Sequence, residues 1–274
     1  MITEPAPAKI NLALHVRARR PDGYHDIETL FAFCADGDEV RIALAEADSF
    51  AVEGPFATGL AGESDNLVTR AARAFVATFG TAQKHAIVLD KRLPIASGIG
   101  GGSADAAAAL RALGRLHGVA HDDVRLAGVA GALGADVPAC LDGRTTLGTG
   151  RGDALVPVDG LAGMPVLLVN PLVAVSTGAV FARWDGIDRG GIASGETLAR
   201  AKQGRNDLEP GARAVAPAIG HVRALLDAAN GRVLSRMSGS GATCFALFDS
   251  QHARDAAARD AAARGWWTLA SVLR

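Results

Sequence analysis

Apolar and polar residues alternate strictly near the start of the chain. Within Ala8–Arg17, every second residue of Ile10–Val16 is apolar, and the intervening positions include Lys9 and Asn11. Because successive side chains of a strand point to opposite faces, this pattern predicts a strand with one core face. Lys9 and Asn11 then lie side by side, about 7 Å apart. Taken alone, the pair is more typical of a solvated face than of a functional site.

A turn and a returning strand follow this first strand. Arg19-Arg20-Pro21-Asp22-Gly23 is rich in turn residues, and the apolar segment Ile27–Phe33 completes a predicted hairpin. Tyr24, the only tyrosine of the chain, and His25 lie at the exit of the turn. Their position is typical both of ligand stacking and of packing over the hairpin.

Further elements of the amino-terminal part follow from apolar alternation and from helix caps. Strands are predicted over residues 40–44, 50–52 and 85–89, with two more between residues 141 and 158. Helices are predicted over residues 67–79 after a cap at Ser64-Asp65-Asn66, over an alanine-rich stretch that ends at Gly118, and from Asp122 or Asp123 to Leu133.

The carboxy-terminal part has a different order of elements. The glycine-containing segment 159–163 predicts a boundary, with one domain over residues 1–160 and a second over residues 161–274. Within the second domain, strands are predicted over residues 166–169, 232–236, 243–248 and 266–272, and helices over 177–184, 214–229 and 252–264. Without the polar insert between the first two helices, the order is β-α-β-β-α-β, which is ferredoxin-like. The fold class is therefore predicted to be α+β.

Composition limits the classes of function. The 274 residues are 49% hydrophobic and carry a net charge of −1, with no basic cluster that would indicate nucleic-acid or membrane binding. The amino terminus lacks a signal-peptide pattern, so we expect a cytoplasmic protein. Cys34, Cys140 and Cys244 are scattered and odd in number, which predicts buried thiols and no disulfide framework or zinc site.

A glycine-rich loop leads into the alanine-rich helix and carries the strongest chemical signal. Residues 93–103 read LPIASGIGGGS, and Ser103 is predicted to be the N-cap or to lie in the first turn of the helix. Free N–H groups at such a helix start attract phosphate, and glycine lets the backbone approach it closely. A dinucleotide fingerprint fails at Ser103, and a Walker A loop would need a lysine there. The remaining alternative is an ordinary glycine-rich turn.

Two weaker signals accompany this loop. Asp136 follows a predicted helix and precedes Pro138, which is typical of an Asx turn or of a functional carboxylate. The segment Met237–Ala242 reads MSGSGA and is a second small glycine loop. It is either a hairpin turn or a loop that closes over a ligand.

Three segments together resemble the motifs of the GHMP small-molecule kinases. They are Pro7-Ala8-Lys9-Ile10-Asn11-Leu12, the glycine loop from Pro94 to Ala107, and Ser238-Gly239-Ser240-Gly241-Ala242. Three further segments resemble the branch of that superfamily that acts on cytidine diphosphate methylerythritol: Arg20–His25, Gly134–Pro138 and Asn206–Glu209. The resemblance spans nearly the whole chain.

The resemblance implies a two-domain α+β fold, with an amino-terminal domain like domain 2 of ribosomal protein S5 and a ferredoxin-like carboxy-terminal domain. It implies transfer of the ATP γ-phosphate, with Mg²⁺, to the 2-hydroxyl of the methylerythritol moiety, in the non-mevalonate route to isoprenoids. Because a hydroxyl is a poor nucleophile, such a kinase needs a base that accepts its proton.

Residue roles also follow from the resemblance. Asp136 matches the base, and Lys9 matches the partner that lowers the pKa of the hydroxyl. Asn11 and Thr177 match polyol contacts, whereas Tyr24, His25 and Phe181 match the cytosine pocket. Asn66 and Lys91 match the adenine side. The loop residues that match the ATP site are Pro94, Ile95, Ala96, Ser97, Gly98, Ile99, Gly100, Gly101, Gly102, Ser103 and Ala104.

Some positions depart from the family pattern. Ile99 and Ala104 replace the commoner leucine and serine, and Arg151 stands where a small or apolar residue is expected. No acidic residue matches a Mg²⁺ ligand, and Ser103 is the candidate. The oligomeric state and the metal ligands stay open.

Three rival functions have to be weighed. Another GHMP kinase, such as a homoserine or mevalonate kinase, is disfavoured by Tyr24 and His25, and a panel of phosphate acceptors distinguishes it. A decarboxylase on the same scaffold would release CO₂. A nucleotide-binding protein without catalysis is disfavoured by Lys9, Asp136 and the glycine loop together, and it would bind nucleotide without acceptor-dependent ADP release.

Overall fold

The computed structural model describes residues 1–60 and 65–274. The strands are β1 Ile2–Arg19, β2 His25–Ala45, β3 Ser49–Glu53, β4 Lys84–Asp90, β5 Thr146–Thr149, β6 Ala154–Pro157, β7 Pro165–Asn170, β8 Arg232–Met237, β9 Cys244–Phe248 and β10 Trp267–Val272. The helices are α1 Leu67–Phe79, α2 Gly101–His117, α3 Val124–Leu133, α4 Val137–Asp142, α5 Thr177–Phe181, α6 Thr197–Gln203, α7 Glu209–Val215, α8 Ala218–Ala228 and α9 Gln251–Ala262. A short 3-10 helix spans Ala57–Leu60.

The chain forms two compact units that interleave along the sequence. The first comprises Met1–Ala8, Asp36–Ile95 and Gly100–Gly143, and the second comprises Lys9–Ala35, Ala96–Ile99 and Arg144–Arg274. Long strands β1 and β2 each contribute residues to both units. The division into one domain over residues 1–160 and a second over residues 161–274 stays a prediction.

The first unit is built around the alanine-rich helix. The carboxy-terminal half of β2 pairs antiparallel with β4, with Ile42 opposite Ile87, and β3 pairs parallel with β4. Ten residues of α2 are buried, mostly alanines, and α2 packs against α1 and α4. Small side chains allow this close helix packing, which fixes the helix start that follows the glycine loop. Asn66 caps α1 as predicted, whereas the predicted contribution of Ser64 lies outside the described residues.

The second unit contains a four-stranded antiparallel sheet with the order β10-β7-β9-β8. Helices α8 and α9 pack against this sheet over a core that includes Leu167, Val169 and Phe248. The predicted β-α-β-β-α-β order and the α+β class are therefore confirmed. In the same unit, the amino-terminal half of β2 pairs with β5, and β5 pairs with β6.

The predicted break between residues 33 and 40 is wrong, because β2 runs through it without interruption. The polar segment containing Gly37 and Asp38 resembles a turn in sequence. In the structure, a Cβ atom at Gly37 would lie 2.0 Å from the carbonyl oxygen of Ala6, so this glycine allows two backbones to approach.

The helices differ from the sequence analysis in four respects. Helix α4 begins directly after Asp136, because Pro138 lies in its first turn, where no intrahelical N–H bond is lost. The single helix predicted over residues 214–229 is instead α7 and α8, which Pro217 separates. Helix α5 ends at Phe181 rather than at residue 184, and α6 occupies part of the insert that was predicted to be a loop.

Candidate active site

The polar face of β1 is buried. Lys9 and Asn11 are 3% and 2% exposed, and the Lys9 ammonium donates to Asn11 Oδ1 over 3.1 Å. The Lys9 nitrogen also lies 5.0 Å from the centre of the Phe31 ring. A buried charge is costly unless polar or aromatic groups stabilise it, and Asn11 and Phe31 supply these groups to the Lys9 ammonium. The solvated-face alternative for the pair is therefore wrong.

The glycine loop has the backbone conformation that its composition predicts. Gly98 and Gly100 have φ angles of +75° and +66°, which favour glycine. The Lys9 N–H donates to the Ile99 carbonyl oxygen over 3.0 Å, so the loop is joined to β1 directly at the lysine. Helix α2 begins at Gly101 with Gly100 as its N-cap. Ser103 therefore lies in the first turn, which was one of its two predicted positions, and not at the N-cap.

The second glycine loop closes on the first within the second unit. Ser238 Oγ donates to the Gly98 carbonyl oxygen over 2.9 Å, and the Thr243 N–H donates to the Ser97 carbonyl oxygen over 3.1 Å. A Cβ atom at Gly98 would lie 2.6 Å from the carbonyl oxygens of Ser238 and Gly241. Segment 238–242 is therefore more than a hairpin turn, because it holds the glycine loop.

The Asn206–Glu209 motif supports this second glycine loop. Asn206 Nδ2 donates to the carbonyl oxygens of Met237 and Gly239, each over 2.8 Å. Asp207 accepts the Val16 N–H over 2.8 Å on β1. The motif thus connects β1 with the second glycine loop and explains why its amide and carboxylate are adjacent in sequence.

The starts of α1 and α2 are neighbours in the first unit. Asn66 Oδ1 accepts the N–H groups of Val68 and Thr69, whereas its Nδ2 has no hydrogen-bond partner among the described residues. A Cβ atom at Gly102 would lie 3.5 Å from the Leu67 side chain, next to this cap. Within the described part of the chain, the Asn66 side chain thus keeps a free Nδ2 donor close to the start of α2, which follows the glycine loop.

Lys91 lies in a buried cluster with two carboxylates. Its ammonium donates to Asp38, and to Asp105 over 2.8 Å, and all three side chains are 3% exposed or less. Asp38 also accepts the Leu93 N–H over 2.8 Å. Burial raises the pKa of Asp105 to about 8, helped by the charge of Asp38 and opposed by Lys91. Burial opposes the charge of Lys91, but the two carboxylates outweigh it and raise the pKa of that ammonium.

This cluster holds the two ends of the glycine loop, since Lys91 precedes the loop and Asp105 follows it. A Cβ atom at Gly101 would lie 3.0 Å from the Lys91 nitrogen, so the cluster also touches the start of α2. A direct contact of Lys91 with ATP stays a prediction. Asp38 and Asp105 were not identified from the sequence, although a carboxylate within the alanine run of α2 was a signal.

The residues matched to the cytosine pocket form two aromatic contacts. The ring centres of His25 and Phe181 lie 4.8 Å apart, and the rings of His25 and Trp184 form a T-shaped pair with their centres 5.8 Å apart. Tyr24 is 54% exposed, and the Arg151 guanidinium lies 5.3 Å from the centre of its ring. Arg151, the departure from the family pattern, is thus the cationic partner of Tyr24. Burial and the charge of Arg19 lower the pKa of His25, which favours its neutral form.

Thr177 and Asp136 complete the set of predicted residues. Thr177 Oγ1 lies 2.9 Å from Ser240 Oγ, so it meets the second glycine loop within the second unit. Asp136 is half-buried at the N-cap of α4 in the first unit. The joint action of Asp136 and Lys9 stays a prediction.

Ligation of a metal ion by Ser103 stays a prediction. Among residues 1–60 and 65–274, no group of three or more histidine, cysteine, aspartate or glutamate side chains is arranged to hold a metal ion. Ser103 offers a half-buried hydroxyl in the first turn of α2.

Among residues 1–60 and 65–274, none of the helices has the length and apolar character to cross a membrane.

Comparisons with known proteins identify the family. The family model for the N-terminal domain of GHMP kinases matches residues 66–144, and that for the C-terminal domain matches residues 187–265. A 4-diphosphocytidyl-2-C-methyl-D-erythritol kinase of Rhizorhabdus wittichii is 59% identical, over 99% of this chain and 94% of the relative. One of Sphingopyxis alaskensis is 53% identical, over 97% of this chain and 96% of the relative.

Solved structures agree with the sequence relatives. A crystal structure of 4-(cytidine 5'-diphospho)-2C-methyl-D-erythritol kinase superposes with a TM-score of 0.81, at 34% identity and over 99% of both chains. A homoserine kinase of Cytophaga hutchinsonii superposes with a TM-score of 0.68 over 97% of this chain and 95% of that chain. Its identity of 20% shows the shared fold alone.

Proposed function

The chain belongs to the 4-diphosphocytidyl-2-C-methyl-D-erythritol kinases of the GHMP kinase family, and from this premise we propose how its residues carry out the reaction. The enzyme transfers the γ-phosphate of ATP to the 2-hydroxyl of 4-diphosphocytidyl-2-C-methyl-D-erythritol. The reaction supplies the non-mevalonate route to isoprenoid precursors. The observation that carries the proposal is the buried, hydrogen-bonded Lys9–Asn11 pair joined to a phosphate-type glycine loop.

The glycine loop binds the phosphates of ATP. Its positive-φ glycines let the backbone approach the phosphates closely, and the free N–H groups at the start of α2 attract their negative charge. Phosphoryl transfer depends mainly on positioning and on neutralising charge, which a rigid, amide-rich loop supplies. The Asp38–Lys91–Asp105 cluster and the second glycine loop provide that rigidity.

The acceptor hydroxyl needs a base and a nearby positive charge. Asp136 accepts the proton of the 2-hydroxyl as the new bond forms, and Lys9 stabilises the developing negative charge on that oxygen. Asn11 and Thr177 orient the polyol, with Asn11 also orienting Lys9. Tyr24, His25 and Phe181 bind the cytosine ring.

The available donors fit a Mg²⁺ ion that enters with ATP. Mg²⁺ prefers oxygen ligands and is commonly held by substrate phosphates, water and one or two protein groups. Ser103 would hold it through its hydroxyl, since Asp105 is already paired with Lys91. The ion would neutralise phosphate charge. The protein is proposed to be cytoplasmic.

An acceptor panel tests the substrate assignment. ADP release is measured with ATP and, in turn, 4-diphosphocytidyl-2-C-methyl-D-erythritol, homoserine and mevalonate. We expect turnover with the first acceptor alone. Preferred turnover of homoserine or mevalonate would assign another kinase of the family, and nucleotide binding without ADP release for any acceptor would indicate a binding protein.

A further inference from the structure

A buried threonine lies behind the Lys9–Asn11 pair. Thr29 is on β2, next to β1, and is fully buried. Its Oγ1 lies 2.7 Å from Asn11 Nδ2 and donates to the Ala13 carbonyl oxygen over 2.9 Å. The threonine, asparagine and lysine therefore form one continuous hydrogen-bonded chain within the second unit.

The donors and acceptors of this chain admit one direction. A threonine hydroxyl has a single hydrogen, and in Thr29 the Ala13 carbonyl oxygen takes it. Thr29 Oγ1 must then accept from the other side, so Asn11 turns its Nδ2 toward it. The opposite end of the amide is Oδ1, and it faces the Lys9 ammonium, which can only donate. Both ends of the chain thus require the same orientation of the amide.

We infer that Thr29 is a positioning residue of the kinase reaction, which fixes the Asn11 amide so that its oxygen holds the Lys9 ammonium in place. This inference rests on the proposed role of Lys9. Thr29 acts through Asn11 and does not touch substrate. Without its hydroxyl, the Nδ2 end of the Asn11 amide loses its hydrogen-bond partner, and the amide is then held through its oxygen end, so the Lys9 ammonium that bonds this oxygen is less precisely placed.

Burial makes this orientation matter. Asn11 is 2% exposed, so water does not readily replace a lost partner of its amide. Ser238 Oγ accepts the Asn11 main-chain N–H over 3.3 Å and lies 3.5 Å from Asn11 Oδ1, so it holds the backbone and the oxygen end of the amide, whereas Thr29 holds the Nδ2 end. A small displacement of a catalytic group costs as much as about 10²-fold in rate.

The test compares the variant Thr29→Val with a matched control, Thr146→Val. Valine preserves the shape of threonine and removes the hydroxyl. Thr146 lies opposite Phe31 in the same β2–β5 pairing and is fully buried, and its hydroxyl has no hydrogen-bond partner among the described residues. The control therefore reports the effect of burying a valine in this sheet without removing a hydrogen bond of the Thr29–Asn11–Lys9 network.

We expect kcat of Thr29→Val to fall about 10- to 100-fold, with KM for ATP and for the acceptor within about twofold. Thr29→Ser, which keeps the hydroxyl, should recover most of kcat, and Thr146→Val should match the parent. A role of Thr29 in packing alone would be indicated if the serine variant stayed as slow as the valine variant, and this result overturns the inference.

A second readout needs no turnover. With ¹⁵N-labelled asparagine, the exchange of the Asn11 Nδ2 protons with solvent is followed by NMR in the absence of substrate. Exchange should be faster in Thr29→Val than in the parent and in Thr146→Val. Equal exchange in the two valine variants overturns the inference, whatever the activity. An inactive parent with faster exchange in Thr29→Val would refute the proposed function and leave the orienting role of Thr29 supported.

Discussion

The variant Gly98→Ala tests whether the contact between the two glycine loops supports nucleotide binding. Gly98 has a φ of +75°, a conformation that costs alanine about 1–2 kcal/mol. The added Cβ would lie 2.6 Å from the carbonyl oxygens of Ser238 and Gly241, whereas ordinary contact begins at 3.4 Å. The loops must therefore separate by about 0.8 Å, and overpacking of this kind costs about 1–3 kcal/mol.

A second glycine separates these two costs. Gly118, the C-cap of α2, has a φ of +68°, and a Cβ atom there would meet no heavy atom within 4 Å in the described part of the chain. Gly118→Ala therefore carries the conformational cost alone. We expect Gly98→Ala to lower the free energy of unfolding by about 1–3 kcal/mol more than Gly118→Ala does.

The activity of the same two variants gives the functional result. Because the loop amides must lie at hydrogen-bonding distance from the phosphates, a shift near 1 Å should lower kcat/KM for ATP about 10²-fold in Gly98→Ala. Gly118→Ala should stay close to the parent. The assays are chemical denaturation and coupled ADP release. Equal stability and equal kcat/KM in the two variants would refute the proposed support of one loop by the other.

Four further substitutions test the base, the cytosine pocket and one pKa shift. Asp136→Asn should lower kcat about 10²- to 10⁴-fold with ATP affinity little changed, and turnover within threefold of the parent would refute the base assignment. Phe181→Ala should weaken the binding of cytidine and uridine analogues of the acceptor alike, whereas His25→Ala should narrow the preference for cytidine over uridine. If His25→Ala leaves the ratio of kcat/KM for the two analogues unchanged, the His25 side chain does not select the base. Burial and the charge of Arg205 lower the pKa of His15 in the folded protein from its ordinary value of 6.5. The folded protein therefore binds a proton at His15 less readily than the unfolded chain does. The free energy of unfolding should fall as the pH drops from about 6.5 through the lower pKa of the folded protein. Denaturation at pH 7.5 and 5.5 should show a smaller loss for His15→Gln, and an equal loss in both proteins would contradict this cause.

Much of the fold could be predicted because local signals and tertiary packing agree. The strand around Lys9 and the caps at Asn66 and Asp123 appear in the structure at the expected positions, although both faces of that strand are buried. The errors lie where one local signal is compatible with two structures. Gly37 resembles a turn residue but allows β2 to pass close to Ala6, and Pro138 resembles a helix stop but lies in the first turn of α4.

The site was predictable to the extent that its motifs are contiguous. The glycine loop could be identified from its composition, and the Lys9–Asn11 pair from the resemblance of its segment to the family motif; the structure shows that they meet through Ile99. Thr29 and Asp38 could not, because each is an ordinary residue in a strand whose role depends on a partner from a distant segment. Their roles follow from contacts that only the folded structure shows: the hydrogen bonds of Thr29 with Asn11 and Ala13, and the buried ion pair of Asp38 with Lys91.

The position of the new phosphate tests the central claim most directly. In the proposed acceptor, C2 carries a methyl group and a hydroxyl, so a phosphate ester there has no hydrogen on its carbon. The product is analysed by ³¹P NMR without proton decoupling. We predict a new monoester signal that shows no three-bond splitting by a carbinol proton. A split signal would place the phosphate on a primary or secondary hydroxyl and would contradict the account.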